Sequence, residues 1–249
     1  MLARLKTPAL LGALLALTAC GTTSPIALRA PAAAAAASNS AAGRHIDAVI
    51  ARVGGADLFE NISSGDDALV RHRRSGLVCR FNPNDPTQSL SIYPQPMPRG
   101  DDVGCQLSSH PVDGSHTLFA TRLPGVNTLD EALGISVALM RRQYPDLHPF
   151  EGTSADVAIR RDDLRPPPPS RTARFVTKLN GVPHYTRVSV AMVNGWTIKQ
   201  RFTRPVGESP EEGAAAADLL AGIVWADTLL RFTNGSALDR PPPGRERAA

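Results

Sequence analysis

The stretch TARFVTKLNGVPHYTRVSVAMVNGWTIKQRFT, residues 172–203, decides the fold of this chain. Two Asn-Gly pairs, at 180–181 and 194–195, separate three segments rich in β-branched and aromatic residues: 172–180, 182–193 and 196–203. Asn-Gly between two such segments is a strong hairpin signal, because both residues accept the positive φ that a tight turn requires. The stretch therefore predicts a meander of three antiparallel strands.

The apolar pattern also predicts a register for this meander. A two-residue first turn pairs Phe175 with Thr186. A second turn of two residues would put Trp196 on the opposite face of the sheet from Phe175. We therefore expect residues 193–195 to form a three-residue loop, which pairs Met192 with Trp196 and makes one apolar face continuous.

The same register defines a row of positive charge on the other face. It places Arg174 opposite Arg187 and Arg187 opposite Arg201, with Lys178 and Lys199 on the same side. Opposed like charges destabilise a sheet by about 0.2–1 kcal/mol per pair. The row is therefore solvated, paired with acids from another element, or a site for an anion, and its five residues are the candidate anion-binding residues.

Helix-start motifs precede and follow the meander. The sequences TLDE at 128–131 and SPEE at 209–212 are both typical of capping boxes, and they predict helices over 128–144 and 210–231. The second helix is expected to bury one apolar side: Ala216, Leu219, Leu220, Ile223, Val224 and Leu230. A weaker helix is expected over 44–53.

Further strands are expected before and between the two long helices, at 76–81, 89–93, 103–107 and 156–160. Pro166–Pro169 cannot join a strand ladder and is expected in a surface loop. These elements predict an α+β fold, with an antiparallel sheet and two main amphipathic helices in an α/β sandwich.

The order of elements and the turn Leu123-Pro124-Gly125 before the first long helix resemble the PsbP/DcrB-like fold over about 75–232. That resemblance implies an accessory or envelope protein without shared catalytic residues.

The N-terminus carries an export signal. Arg4 and Lys6 precede an apolar run over 9–17, and LTAC at 17–20 follows. The segment resembles a bacterial lipoprotein signal peptide, which implies removal of residues 1–19 and lipidation of Cys20. An ordinary secreted protein with a cysteine at its cleavage site is the alternative.

The residues after Cys20 are expected to form a tether. The segment 20–43 is rich in alanine and nearly uncharged, so it cannot offset the entropy of folding. A short poly-alanine helix is the alternative. In the lipoproteins that this signal resembles, an aspartate directly after the lipidated cysteine commonly retains the protein in the inner membrane. Gly21 occupies that position here, so the resemblance implies the periplasmic side of the outer membrane. A single domain is expected over 44–236, with a disordered tail over 237–249.

Cys79 and Cys105 form an even pair once Cys20 is lipidated. In an oxidising compartment, this predicts one structural disulfide. Two buried free thiols, or a zinc site with His110 and His116, are the alternatives.

The 249 residues include 27 Lys and Arg against 23 Asp and Glu. Two of the basic residues leave with the signal peptide, so the mature chain is nearly neutral and gives no basis for a nucleic-acid partner.

No common catalytic motif is present. The sequence SSGDD at 63–67, with His72 nearby, has the residue types of a hydrolase site, and a turn is the alternative interpretation. Asp162 and Asp163 follow Arg160 and Arg161 directly. The two aspartates would bind a cation or form solvated ion pairs with these arginines.

These observations predict a non-enzymatic envelope lipoprotein, without cofactor or metal, that is anchored in the membrane and acts as an accessory or scaffold for envelope proteins. The alternative is a binding module for an anionic envelope component: phospholipid, lipopolysaccharide or cell-wall polymer.

Overall fold

The structure is a computed structural model that describes residues 40–94, 96–110, 114–152, 157–207 and 209–235. The predicted signal peptide, Cys20, the tether as far as residue 39 and the predicted tail lie outside the described residues.

Three helices and ten strands occur in the described part of the chain. They follow one another in the order α1 (Ala41–Arg52), β1 (Phe59–Asn61), β2 (Ala68–His72), β3 (Val78–Phe81), β4 (Ser89–Ile92), β5 (Asp102–His110), β6 (Gly114–Thr121), α2 (Leu129–Gln143), β7 (His148–Pro149), β8 (Ser170–Leu179), β9 (Val182–Val193), β10 (Trp196–Pro205) and α3 (Pro210–Asn234).

The strands form two antiparallel sheets. A seven-stranded sheet has the order β4-β5-β6-β10-β9-β8-β7, and a three-stranded sheet has the order β1-β2-β3. The expected α+β fold is confirmed. The segment 157–160, predicted as part of a strand, forms none, and instead Val157 packs near Gly222 of α3.

The large sheet is covered on both faces. On one face, Ala132, Met140 and Tyr144 at α2 pack against Phe175, Val188 and Val190. On the other face, small residues of α3 pack against Tyr185 and Phe202, and α1 joins a cluster that includes Trp196 and Ile198. Both faces of the meander are therefore buried.

Both Asn-Gly pairs form two-residue turns. Asn180 and Gly181 have φ of 53° and 81°, and Asn194 and Gly195 have φ of 50° and 77°. The pairing of Phe175 with Thr186 is confirmed. The predicted three-residue loop is wrong, because Trp196 pairs with Val193. The prediction assumed one apolar face, whereas this sheet buries apolar residues on two.

The helix starts differ from each other. At α2, Thr128 Oγ1 accepts the Glu131 N–H at 3.2 Å and Glu131 Oε2 accepts the Thr128 N–H at 3.1 Å, so the capping box is confirmed. At α3, Ser209 makes no side-chain cap, so that capping box is wrong, although Pro210 does occupy the first turn. Helix α1 begins at Ala41 with Ser40 as its cap, three residues before the predicted domain start.

The predicted buried face of α3 is wrong except at Leu230, which is buried. Its sheet-facing side consists mainly of small residues, with Ala214, Ala217, Ala221 and Gly222 buried. Leu219, Leu220 and Ile223 are instead 56%, 42% and 46% exposed. Small side chains let the helix approach the sheet closely, so packing favours them over the larger leucines.

Cys79 of β3 and Cys105 of β5 form a disulfide, with their Cα atoms 6.4 Å apart. The predicted pairing is confirmed. The bond joins the three-stranded sheet to the seven-stranded sheet, and both cysteines are buried.

Candidate ligand-binding site

A cavity of about 480 Å³ lies between α3 and residues 157–168, which we call the covering segment. Its inner lining combines apolar residues of α3 with two polar strand residues: Trp225, Ala226, Leu229, Leu230, Ser170 and Arg187. Its volume falls within the range of about 300–1,000 Å³ that is typical of small-molecule sites.

Gly222 brings three elements together at this cavity. A Cβ atom added there would lie 2.7 Å from Val157 Cγ2 and 3.6 Å from Arg187 Nη1. The absence of a side chain therefore lets the covering segment pack against the helix, with a strand arginine directly behind it.

A buried ionic cluster joins β8, β9 and α3 beside the cavity. Arg187 Nη1 donates to Asp218 Oδ1 at 2.8 Å, and Arg174 Nε donates to the same oxygen at 3.0 Å. The side chains of Arg187 and Asp218 are 1% and 3% exposed. Tyr185 Oη donates to the same carboxylate at 2.5 Å. Burial, followed by this hydrogen bond, raises the pKa of Tyr185, which keeps the phenol protonated as a donor.

The protein itself occupies all five N–H groups of the Arg187 guanidinium. Nη1 also donates to the Asp218 carbonyl oxygen at 3.1 Å. Nη2 donates to Ser189 Oγ at 2.8 Å and to Thr172 Oγ1 at 3.4 Å, and Nε donates to Ser189 Oγ at 3.2 Å. A guanidinium has five N–H donors, so Arg187 has none left for a ligand.

The predicted row of three arginines is wrong. Arg174 does lie opposite Arg187, but Phe202, and not Arg201, lies opposite Arg187. The two-residue turn at 194–195 shifts the register by one residue, and a shift of one moves every side chain of a strand to the other face.

The remaining predicted anion-binding residues lie elsewhere. Lys199 and Arg201 lie on the face that α2 covers, where Lys199 Nζ is 4.3 Å from the centre of the Phe119 ring and Arg201 Cζ is 5.1 Å from that of Tyr144. Burial lowers the pKa of Lys199. Lys178 is exposed near the first turn. The five residues therefore do not form one site.

The outer side of α3 exposes three large apolar side chains, Leu219, Leu220 and Ile223, which we call the apolar ridge. Ile159 of the covering segment is also exposed, at 36%. By length and composition, α3 is the one helix among the described residues that could cross a membrane, and 56% of its most apolar window is buried inside the protein. The helix thus packs on the sheet with about half of this window and keeps three large apolar side chains on its outer side.

A second cavity of about 570 Å³ lies on another side of α3, and Leu220, Ile223 and His116 contribute to its lining. His116 is a buried neutral base. Its Nε2 lies 2.9 Å from Gln200 Nε2, and its ring packs edge-on against Phe202. Burial, and then the positive charge of Arg187, lower the pKa of His116 to about 4.

We expect the free energy of unfolding to fall as the pH is lowered from about 6.5 to 4, because the unfolded state then binds a proton that His116 in the folded state does not. Urea unfolding between pH 7 and pH 4 measures this slope. A His116→Leu variant should have a shallower slope, whatever its absolute stability. An unchanged slope in that variant would contradict the neutral buried state.

The residues of the hydrolase interpretation do not converge. Ser64 and Asp67 close a tight turn by reciprocal backbone hydrogen bonds, so the turn interpretation is confirmed. Ser63 Oγ accepts the Leu69 N–H at 3.1 Å, and His72 Nδ1 lies 2.8 Å from Ser75 Oγ. In the covering segment, Arg161 Nη2 donates to Asp163 Oδ2 at 2.7 Å. Of the two interpretations of the aspartates at 162–163, this contact agrees with the ion pair.

Sequence reasoning missed Asp218 and Gly222. A signal for the first was present, because Asp218 is the one charged residue between Glu212 and Asp227 in an otherwise apolar helix. A charged side chain in such an apolar run is buried only with a partner. Asp218 therefore predicts a positively charged side chain on the sheet.

Comparison with known proteins gives little. No family model matches the chain, and none of the curated proteins matches it. Among solved structures, the chain is similar to the crystal structure of a protein of unknown function from Pseudomonas aeruginosa. The two share 12% identity, with 63% of this chain and 95% of that chain covered, at a TM-score of 0.32. A likeness at that score carries no argument about function.

Proposed function

We propose that the protein is a non-enzymatic envelope lipoprotein, lipidated at Cys20 on the periplasmic side of the outer membrane, and that its domain docks on the membrane surface through the outer side of α3. The sequence LTAC at 17–20 and its resemblance to a lipoprotein signal peptide support the anchor, and the resemblance to accessory envelope proteins supports a role without catalysis. One structural observation carries the docking, which is the exposure of the apolar ridge.

The border of the ridge suits an anionic bilayer. Ile223 and Leu220 share the second cavity with Arg204, and Ile159 is followed by Arg160. Both arginines are exposed, and neither makes an ion pair within the described ranges. Each arginine near an anionic surface contributes about 1 kcal/mol to binding. Apolar side chains bordered by arginines are typical of segments that lie in a membrane interface.

The ridge by itself is a weak anchor. Fully burying a large apolar side chain contributes about 1.5–3 kcal/mol, so burying the exposed halves of three contributes roughly 2–4 kcal/mol. That range corresponds to a dissociation constant of about 1 mM or weaker.

A lipid at Cys20 would make this weak contact effective. A coil of the length between Cys20 and Ser40 spans roughly 25 Å, and short flexible linkers give effective concentrations in the millimolar range. The lipid therefore supplies the stable attachment, and the ridge holds the tethered domain against the membrane surface.

Cell fractionation tests the anchor. We expect the wild-type protein in the membrane fraction, with a mass that includes a lipid on Cys20, and a Cys20→Ser variant that is unprocessed or released. A wholly soluble wild-type protein with a free Cys20 thiol would contradict the anchor.

Hydroxyl-radical footprinting of the intact lipidated protein in phospholipid vesicles tests the docking. We expect oxidation of Leu219, Leu220 and Ile223 to fall several-fold in vesicles that contain anionic lipid, and to recover at high salt, which screens the arginines. Ile135 and Leu139 of α2 are the controls of matched exposure, because they are 41% and 49% exposed. Equal protection of both helices, or of neither, would contradict the docking.

A further inference from the structure

We propose that the cavity between α3 and the covering segment binds an amphiphile that has an acyl chain and one acidic head group. This inference goes beyond the proposed function, which uses the outer side of α3 and the arginines at its border and gives the interior of the cavity no role.

The α3 wall of the cavity selects a hydrocarbon chain. Trp225, Ala226, Leu229 and Leu230 provide this wall, and none of them carries a charge. Trp225 Nε1 lies 3.4 Å from Ser170 Oγ, so the indole N–H already faces a polar partner. A ligand that lies along this wall gains from burial of apolar surface and has few groups to hydrogen-bond there.

The inner end of the cavity cannot hold the acidic group. Arg187 is the charged residue there, and the protein uses all five of its N–H donors. An anion placed beside it would lose its hydration without gaining a hydrogen bond from the guanidinium, which is costly in a buried site. The acid of the ligand is therefore expected at the outer side.

The covering segment offers donors at that outer side. Arg160 and Arg165 line the cavity, are exposed, and have no ion pair among the described residues. Arg161 differs from them, because it forms a two-point contact with Asp163 that stabilises the segment itself. Asp162 is the acid of the lining, so the two arginines outnumber it.

Together the two ends define the ligand class. An inorganic phosphate would leave the apolar wall unused, and an uncharged hydrocarbon would leave both arginines unused. A fatty-acid carboxylate and a lysophospholipid phosphate share the required chemistry, with an acyl chain on α3 and an oxyanion at the arginines.

Photolabelling of the detergent-solubilised full chain tests the site. The probe is hexadecanoate that carries a diazirine in its chain, and the matched probe is hexadecanol with the same diazirine. We expect the hexadecanoate probe to label Trp225, Ala226 or Leu229, about ten-fold more than the alcohol does, which is equivalent to about 1.4 kcal/mol. Competition by unlabelled hexadecanoate or by lysophosphatidate identifies which head group the site prefers.

Two variants separate the halves of the site. An Arg160→Gln/Arg165→Gln variant should reduce labelling by hexadecanoate about ten-fold and leave labelling by hexadecanol unchanged. Arg142→Gln, at an exposed arginine in the last turn of α2, is the control and should change neither. An Ala226→Phe variant should reduce labelling by both probes, because it fills the cavity. The arginine variants are exposed substitutions that keep the fold, so the test does not depend on Ala226→Phe.

Labelling confined to the apolar ridge or the second cavity would overturn this inference. Unchanged hexadecanoate labelling in the Arg160→Gln/Arg165→Gln variant would also overturn it. These results are distinguishable from a failure of the proposed function, because the footprinting reports on the ridge and the photolabel on residues inside the cavity.

Discussion

Replacing Asp218 with asparagine is expected to lower the free energy of unfolding by about 3–5 kcal/mol, the effect of removing one partner from a buried ion pair. Asp218 Oδ1 accepts hydrogen bonds from Arg187, Arg174 and Tyr185. Asparagine keeps the size of the side chain but removes its charge, so the guanidinium of Arg187 loses its carboxylate partner at a site where its own side chain is only 1% exposed. Urea unfolding at pH 7 measures the loss.

Asp57→Asn is the matched control. Asp57 pairs with Arg99, but the two side chains are 62% and 51% exposed, so the same substitution should lower the free energy of unfolding far less. Similar losses for the two variants would show that burial does not set the strength of the cluster. We also expect Asp218→Asn to loosen α3 on the sheet, since the carboxylate is the one acid through which this helix binds both arginines.

The features that the sequence predicted correctly are local ones. The capping box at Thr128 and Glu131 needs only residues three apart, and the first hairpin needs only Asn180-Gly181 and its flanking residues. Both signals depend on backbone conformations that neighbouring residues determine. The disulfide was predictable from the number of cysteines and the expected compartment alone.

The predictions that failed depended on how elements pack together. The register of the second hairpin was derived from a single apolar face, but Val190 and Ile198 lie in clusters on opposite faces of the sheet. A strand pattern cannot distinguish one covered face from two when apolar residues occur at both odd and even positions of the strand. Because of this ambiguity, the apolar pattern predicted Arg201 and Lys199 on the same face as Arg187, whereas they lie on the opposite face of the sheet.

The error at α3 has a similar origin. Helical periodicity favoured the side with Leu219 and Ile223, because the hydrophobic effect grows with apolar area. The structure buries the side with Ala217, Ala221 and Asp218. This side brings the carboxylate within hydrogen-bond distance of two strand arginines, and only small neighbours leave room for that approach.

The cavity could not be predicted from any local pattern. Its lining comes from residues 157–168, from one residue on each of two strands, and from the second half of α3. Composition indicated only that the proline-rich part of 157–168 lies outside the strands. Where that segment lies depends on Gly222, whose missing Cβ is a packing feature and not a sequence motif.

Removing the disulfide is expected to have the second large effect on stability. Cys79 and Cys105 are separated by 26 positions, and the chain-entropy model gives about 3.5 kcal/mol for closing a loop of that length. The closed loop contains β4, which pairs with β5 at the edge of the large sheet. A Cys79→Ala/Cys105→Ala variant should therefore lose about 3.5 kcal/mol in urea unfolding under oxidising conditions.

The reductant response separates the cross-link from the packing of the two side chains. Adding dithiothreitol should destabilise the wild-type protein by nearly the same amount and leave the double variant unaffected. Reduced thiols occupy almost the same volume as the bonded sulfurs, so the wild-type loss measures the loop constraint alone. If reductant has no effect on the wild-type protein while the variant is destabilised, then the two sulfurs stabilise the contact between the sheets by packing and not by a covalent bond.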